Sequence, residues 1–218
     1  MKAKETTTKK SKPIEPGMYG ATCYAAIDRG THHDEKFDKD KRELTLIFEI
    51  PEVRIDIEKD GETKSLPRAL SKTYTLSLHE KAKLRKDLQS WRGRAFTAEE
   101  LKGFDLMNVV GKPCLLNLVT SECGNYTNID GINPLMKGME APKQENASTY
   151  FTFDECEDGV EPEWPSGMPQ WLIDIAKESD EYRGLIASVG EGGSGEYAAT
   201  ETPEGSAPDD SADADCPF

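Results

Sequence analysis

The sequence holds few of the residues and motifs on which most active sites are built. Three histidines and five cysteines occur among 218 residues, and no two cysteines have the Cys-x-x-Cys spacing. Neither a Gly-x-x-x-x-Gly-Lys phosphate-binding loop nor a Gly-x-Ser-x-Gly nucleophile motif is found. The many acidic residues cluster in segments with little to bury, where charge runs are usually solvated. We therefore predict that the protein is not an enzyme and that it binds neither a metal nor a cofactor.

Long apolar runs are also missing. No stretch approaches the ~20 apolar residues that a membrane-spanning helix needs. The first six residues, MKAKET, lack the apolar core of a secretory signal. We therefore expect a cytoplasmic protein.

Basic residues are absent from residues 191–218, which hold eight acids. Residues 151–190 hold ten acids against two bases, Lys177 and Arg183. Because the formal net charge of the whole chain is -14, residues 1–150 carry a net charge of +2. A nearly neutral body with an acidic extension is a charge asymmetry that leaves a nucleic-acid partner open.

Alternating apolar residues predict a chain rich in β-structure. Five strands are expected, over residues 18–28, 43–57, 70–76, 114–121 and 126–132. In the second strand, Pro51 predicts a bulge or kink. Residues 59–67, which include Asp60-Gly61, are predicted to form a polar loop.

A helical insertion is predicted between the third and fourth strands. Leu84, Leu88 and Trp91 recur at helical spacing after a capping box at residues 77–80. A second capping box at residues 97–100 predicts a short helix. This order is that of the OB-fold, a five-stranded Greek-key barrel with its helix between strands three and four. Another small β-barrel or an α+β domain remains an alternative, because the order of elements alone does not exclude it.

The regions outside this domain have different compositions. Residues 1–16 are expected to form a flexible basic arm, and residues 17–140 the OB-fold domain. Residues 141–186 are predicted to be an acidic segment with one helix, begun by Met168-Pro169, that packs against the barrel. Residues 187–218 are rich in Gly, Ser, Ala and acids, a composition typical of a disordered tail.

Basic and aromatic residues are interleaved along the predicted barrel. Proteins that hold single-stranded nucleic acid without reading its sequence combine a basic groove with aromatic rings on which bases stack. Phe37 is a better candidate than Tyr74 or Trp91, because a lone aromatic residue in a charged loop has little to pack against. Tyr74 and Trp91 share their spacing with apolar residues, which favours a core position for both. The candidate DNA-binding residues are Tyr24, Arg29, Phe37, Lys41, Arg42, Lys72, Tyr74, Arg92, Arg94, Lys112 and Tyr126.

The last ten residues, DDSADADCPF, carry the most specific signal. They resemble the acidic tail ending in Pro-Phe of bacterial single-stranded DNA-binding proteins, which docks into pockets on replication and repair proteins. A terminal aromatic ring with a free carboxylate can fill an apolar pocket rimmed by bases. The resemblance implies partner-binding roles for Asp209, Asp210, Asp213, Asp215, Pro217 and Phe218. An acidic solubility tail that ends in Phe by chance is the alternative.

The body of the chain is similar to bacteriophage single-stranded DNA-binding proteins in the stretches SKTYTLSLHEKAKLRKDLQSWRGRAFTAEEL and VVGKPCLLNLVTSECGNYTNIDGI. The resemblance implies a protein of the host-cell cytoplasm that coats single-stranded DNA during phage replication or recombination and recruits partner proteins. The helical insertion and the segment from 140 to 186 depart from the bacterial proteins, so we expect a monomer or homodimer rather than their tetramer. Two alternatives remain: an acidic interaction protein that inhibits a host enzyme by imitating DNA, or an accessory of recombination or nuclease reactions.

Overall fold

The computed structural model of the protein describes residues 12–59 and 62–190. These residues form six strands and three α-helices. The strands are β1 (Gly17–Asp34), β2 (Lys39–Lys59), β3 (Glu62–Thr75), β4 (Lys112–Thr120), β5 (Thr127–Asn133) and β6 (Thr149–Phe151). The helices are α1 (Lys83–Arg92), α2 (Gln170–Ala176) and α3 (Asp180–Gly190), with short 3-10 helices at Leu106–Val109 and Phe153–Glu155.

All six strands belong to one sheet in the order β3-β2-β1-β4-β5. Neighbours along this path are antiparallel, whereas β6 pairs with β1 in parallel. The predicted order of three strands, a helix and two strands is confirmed, and β6 is a sixth strand that the prediction lacked. Within the described residues the hydrogen-bonded path ends at β3 and β5, so the sheet is open rather than a closed barrel.

The hairpin of β1 and β2 is longer than the hydrophobic pattern predicts. Polar residues 31–34 of β1 pair with residues 39–42 of β2, because ladder hydrogen bonds need no apolar side chains. Most of the predicted polar loop at 59–67 likewise belongs to β3. The bulge expected at Pro51 is confirmed by a register shift between Ile50 and Arg54.

The helices differ from the prediction at their starts. The expected capping box at residues 77–80 does not open α1, since the N-cap is Ala82 and makes no side-chain hydrogen bond. At the second box, Thr97 and Glu100 exchange the expected hydrogen bonds, but around a turn rather than a helix. The single C-terminal helix that the sequence predicted is two helices, α2 and α3, separated by residues 177–179. No helix in the described ranges is long and apolar enough to span a membrane.

The sheet carries a hydrophobic cluster on each face. The inner cluster joins alternate residues of β1, β2 and β4 to one side of α1, and Phe48 contacts Trp91 at its centre with ring centroids 5.8 Å apart. The outer cluster joins β1 and β2 to residues 151–185, with Leu172 of α2 fully buried in it. The prediction that the C-terminal helical segment packs against the sheet is therefore confirmed.

Residues 134–148 connect β5 to β6 by crossing the outer face of β1. Gly20 makes this close crossing possible, because a Cβ there would lie 3.0 Å from Pro142. Farther on, the buried carboxylate of Glu49 accepts hydrogen bonds from the backbone N–H groups of Glu145 and Asn146 at 2.6 and 2.9 Å. These contacts guide the chain to the position at which β6 pairs with β1.

Candidate nucleic-acid interface

Two of the predicted contact residues have buried rings. Tyr24 is 9% exposed within the outer cluster, and Tyr74 is 4% exposed within the inner cluster. The Tyr74 hydroxyl donates a 2.8 Å hydrogen bond to Oδ2 of Asp87 in α1, and burial raises the pKa of its phenol. Neither ring is exposed to a ligand in this structure, and both belong to the core.

Arg42 lies in a group of carboxylates that we call the Arg42 cluster (Asp28, Arg42, Asp154 and Glu181). Its Nη2 lies 2.5 Å from Asp28 and 2.7 Å from Asp154, and its Nε lies 3.8 Å from Glu181. The hydrogen bond to Asp28 is the main reason that the pKa of Arg42 is raised. Glu181 also accepts hydrogen bonds from the backbone N–H and hydroxyl of Thr31, at 2.5 and 2.6 Å. The charge of Arg42 is therefore used within the fold.

Three more of the predicted cations are paired with carboxylates. Arg29 forms a 2.6 Å ion pair with Glu43 of the adjacent strand. Lys72 is 10% exposed, lies 2.8 Å from Asp87, and donates to the Asp130 carbonyl of β5 at 3.1 Å. This lysine therefore links α1 to the two end strands of the sheet. Lys41 pairs with Asp34 at 2.8 Å across the β1–β2 hairpin.

Arg92 and Arg94 share one carboxylate, that of Glu100. Arg92 forms a short ion pair with it, and Arg94 reaches it with two hydrogen bonds of 2.8 and 3.1 Å. The Thr97 backbone N–H, which also donates to Glu100, and the two guanidinium groups lower the pKa of Glu100 to about 2. Glu100 therefore stays ionised under physiological conditions and neutralises part of the local positive charge.

A cavity of about 550 Å³ brings three of the predicted cations together. We call it the Trp91 cavity, and its principal lining residues are Trp91, Arg92, Arg94, Glu100, Phe104 and Lys112. Helix α1 supplies Trp91 and Arg92 at its C-terminal end, and Lys112 is the first residue of β4. In the described part of the chain, Lys112 is exposed and makes neither an ion pair nor a side-chain hydrogen bond.

The two loops at the ends of the hairpins each carry one exposed aromatic ring. Phe37, in the β1–β2 loop (residues 35–38), is 38% exposed, and Nζ of Lys41 lies 4.7 Å from its ring centroid. Lys36 approaches the same ring at 5.6 Å. Tyr126, in the β4–β5 loop (residues 121–126), is 42% exposed. Both rings were candidates from the sequence.

The sequence reasoning missed part of the Trp91 cavity. Glu100 was recognised only as a capping residue, and neither Phe104 nor Asn108 was considered. Phe104 packs edge-on against Phe96, with ring centroids 5.2 Å apart, and the Arg92 guanidinium lies 4.9 Å from its centroid. The capping box was a usable signal, because it holds the Glu100 carboxylate beside the chain segment that carries both arginines.

Several predictions fall on residues that the structure leaves undescribed. The partner-binding candidates Asp209, Asp210, Asp213, Asp215, Pro217 and Phe218 all lie outside the described residues. Most of the predicted basic arm does so too. Within residues 12–59 and 62–190, no group of three or more His, Cys, Asp or Glu side chains is placed to hold a metal ion.

Comparison with known proteins does not identify a relative. No protein-family model matches the chain, and neither a curated protein nor a solved structure is significantly similar to it.

Proposed function

We propose that the protein binds single-stranded DNA through a sheet of the OB type. The strand order β3-β2-β1-β4-β5, with α1 between β3 and β4, supports this assignment. Lys72 and α1 occupy the gap between β3 and β5, where strand pairing would close an OB barrel.

The observation that carries the proposal is the placement of Phe37 and Tyr126. In OB-folds, oligonucleotides bind to the face of strands two and three and to the loops between strands one and two and strands four and five. Each of these two loops here presents an exposed aromatic ring. Bases of any sequence can stack on such rings, so we expect little sequence dependence and a preference for single strands over duplex.

The outer face of β3 leaves room for a DNA strand between the β1–β2 and β4–β5 loops. Ala69, Ser71 and Thr73 are exposed there and have small side chains. The Thr73 hydroxyl is hydrogen-bonded to that of Thr45 on β2 at 3.0 Å. A surface of this kind lets a nucleotide backbone approach closely and offers hydroxyl groups to its phosphates.

Electrostatic attraction makes a limited contribution in this proposal. Most of the predicted cations are paired with carboxylates, which a phosphate would have to displace. Lys36, which approaches the Phe37 ring, and Lys39, the first residue of β2, are exposed and form no ion pair with any residue that the structure describes. Because each phosphate contact on a single strand adds about 0.7 to the slope of log K against log salt, we expect a shallow salt dependence.

Titration of labelled oligo-dT, followed by fluorescence anisotropy, tests the proposal. Phe37→Ala and Tyr126→Ala should each weaken binding by about 1–3 kcal/mol, the range measured for one stacked base. Trp171→Ala is the matched control, because Trp171 is 47% exposed but lies on α2. No binding by the wild-type protein, or equal losses in all three variants, would refute the proposal. Binding to a host enzyme without binding to DNA would favour the DNA-mimic alternative.

The acidic C-terminal residues add a second test of the same function. Residues 191–218 carry eight acids and no base, and they lie outside the described residues. We expect these charges to compete with phosphates for the same cations. Deleting residues 191–218 should therefore tighten oligo-dT binding, most strongly at low salt. Weaker binding by the shortened protein would contradict the competition.

A further inference from the structure

The Trp91 cavity has the dimensions of a small-molecule site. Its volume of about 550 Å³ falls within the 300–1,000 Å³ that is usual for ligand pockets. It is built from the end of α1, the connection to β4 and the first residues of β4, and it includes neither the Phe37 nor the Tyr126 loop. Its lining is therefore separate from the surface to which the proposed function assigns the DNA strand.

Aromatic rings in fixed positions form the walls of the cavity. The indole N–H of Trp91 donates a 2.9 Å hydrogen bond to the Pro113 carbonyl, which fixes the ring against the start of β4. Phe104 packs edge-on against Phe96, and the Arg92 guanidinium contacts both rings. Trp91 is only 6% exposed, so Phe104 is the ring that a ligand can reach. A flat apolar ring that is already in place can receive a planar ligand ring without the entropic cost of ordering its own side chain.

The charge of the lining favours an anion. The lining contains three cations, Arg92, Arg94 and Lys112, and one carboxylate, Glu100. Lys112 has no partner in the described ranges, and the Arg94 side chain is 56% exposed, so both can reach a ligand. Arg92 has a different role, since it is held by Glu100 and two rings. Its Nη1 is buried without a hydrogen-bond partner among the described residues, so we assign it no contact with the ligand.

Asn108 adds a polar group to the apolar part of the lining. Its Nδ2 donates to the Asp105 carbonyl at 2.9 Å, which orients the carboxamide. Its Oδ1 accepts no hydrogen bond from the residues that the structure describes, and it is available to an N–H donor of a ligand. The edge of a nucleobase carries N–H donors that this acceptor can bind. The apolar side chain of an acidic peptide, the alternative anionic ligand, carries none.

We propose that the Trp91 cavity binds one nucleoside monophosphate unit. The base lies against Phe104, the half-buried ring of the lining, and the phosphate is held by Arg94 and Lys112. This inference rests on the proposed single-strand binding only if the unit belongs to a DNA strand. A free nucleotide offers the same chemistry, and the experiment distinguishes the two sources.

The indole N–H resonance of Trp91, assigned with a Trp91→Phe variant, provides the readout. Thymidine monophosphate and oligo-dT are titrated separately into the full-length protein, and the indole signal of Trp171 serves as the internal control. Lys112→Ala removes the unpaired cation, and Lys86→Ala removes an exposed lysine of α1 outside the cavity. Thymidine and inorganic phosphate, each alone, test whether both halves of the nucleotide are needed.

A shift of the Trp91 signal by the monophosphate, with affinity at least about tenfold weaker in Lys112→Ala than in Lys86→Ala, would show a site for the free nucleotide. A shift by oligo-dT alone, with a salt slope lower by about 0.7 in Lys112→Ala, would show a site for a unit of a strand. Both results support the inference.

Oligo-dT that binds with Phe37-dependent affinity but leaves the Trp91 signal unchanged would overturn the cavity proposal and keep the proposed function. Shifts by inorganic phosphate alone, equal in size to those by the nucleotide, would also overturn it. If oligo-dT does not bind at all, the proposed function fails, and the monophosphate titration decides the cavity proposal by itself. A Trp91 shift by an acidic peptide, with none by the nucleotide, would assign the cavity to a protein partner.

Discussion

The Arg42 cluster and the Trp91 cavity contain the same kinds of side chain and use them differently. In the Arg42 cluster, three carboxylates surround one guanidinium, and the most buried of them, Asp28, has a side chain only 4% exposed. In the cavity, Arg92 and Arg94 share one carboxylate, that of Glu100, and Lys112 has no partner in the described ranges. The comparison shows what separates a structural cation from one that is available to a ligand. The difference lies in how many acidic side chains are nearby and how deeply they are buried, because both sites contain basic residues.

Removing the centre of the Arg42 cluster should have the largest effect on stability. Arg42→Met keeps most of the aliphatic stem but leaves the buried Asp28 without its counter-charge. We expect a loss of about 3 kcal/mol in the free energy of unfolding, measured with urea. Arg183→Met is the control, because its ion pair with Asp180 is exposed at 3.4 Å, and we expect a loss under about 0.5 kcal/mol. Equal losses in the two variants would remove the distinction between buried and exposed pairs.

Lys72 should rank second, because it pairs with Asp87 at a site where both side chains are largely buried. We expect Lys72→Met to cost about 2 kcal/mol, less than a fully buried pair because Asp87 retains the Tyr74 hydroxyl. The double variant Lys72→Met, Asp87→Asn removes both charges and keeps an acceptor for Tyr74. Its urea midpoint should recover most of the loss. If the loss of stability in the double variant equals the sum of the losses in the two single variants, the two side chains act independently.

The contact between Glu181 and Thr31 should have a smaller, pH-dependent effect. Burial acts to raise the pKa of Glu181, but the two hydrogen bonds from Thr31 and the charge of Arg42 lower it overall. A carboxyl whose pKa is lower in the folded protein stabilises the fold above its unfolded pKa of about 4.5, and this stabilisation is lost as pH falls through the folded value. At pH 7 we expect Glu181→Gln to cost about 1 kcal/mol.

Unfolding of the wild type and Glu181→Gln, compared at a series of pH values, measures this effect. The difference between the two proteins should be constant near neutral pH and shrink as the pH falls below about 4.5. A difference that is unchanged in acid would mean that the charge of Glu181 adds nothing beyond its hydrogen bonds.

The cavity residues should have the smallest effect on stability. Arg94→Ala and Lys112→Ala should each change the free energy of unfolding by less than about 0.5 kcal/mol, because neither side chain is buried. Thermal unfolding of both variants checks this. A clear loss in Lys112→Ala would place that residue with the structural cations and weaken the contrast between the two regions.

The residues that sequence reasoning placed well depend on local pattern. The alternation of Leu44, Leu46 and Phe48 predicted one buried face of β2, and all three side chains lie in the inner cluster. The exposure of Phe37 followed from the charged residues around it, which give the ring no apolar neighbours in the sequence.

The features that could not be predicted from the sequence depend on contacts between distant parts of the chain. Ile47 has the spacing of a solvent-facing residue, yet it is 3% exposed because residues 151–185 cover the outer face of the sheet. The partners of Arg42 likewise include Asp154 and Glu181, more than a hundred residues away in the chain. Such pairs are fixed by long-range packing, and no local pattern of charges predicts them.

The burial of β1 on both faces has a consequence for biosynthesis. Residues 21–28 are buried throughout, but the residues that cover their outer face come from the connection at 134–148 and from residues 149–185. On the ribosome, the first three strands and α1 emerge well before that cover is made, so the nascent chain exposes an apolar strip for most of its synthesis. Contacts of such large sequence separation form late in folding, and this interval is when the protein is most prone to aggregate or to need a chaperone.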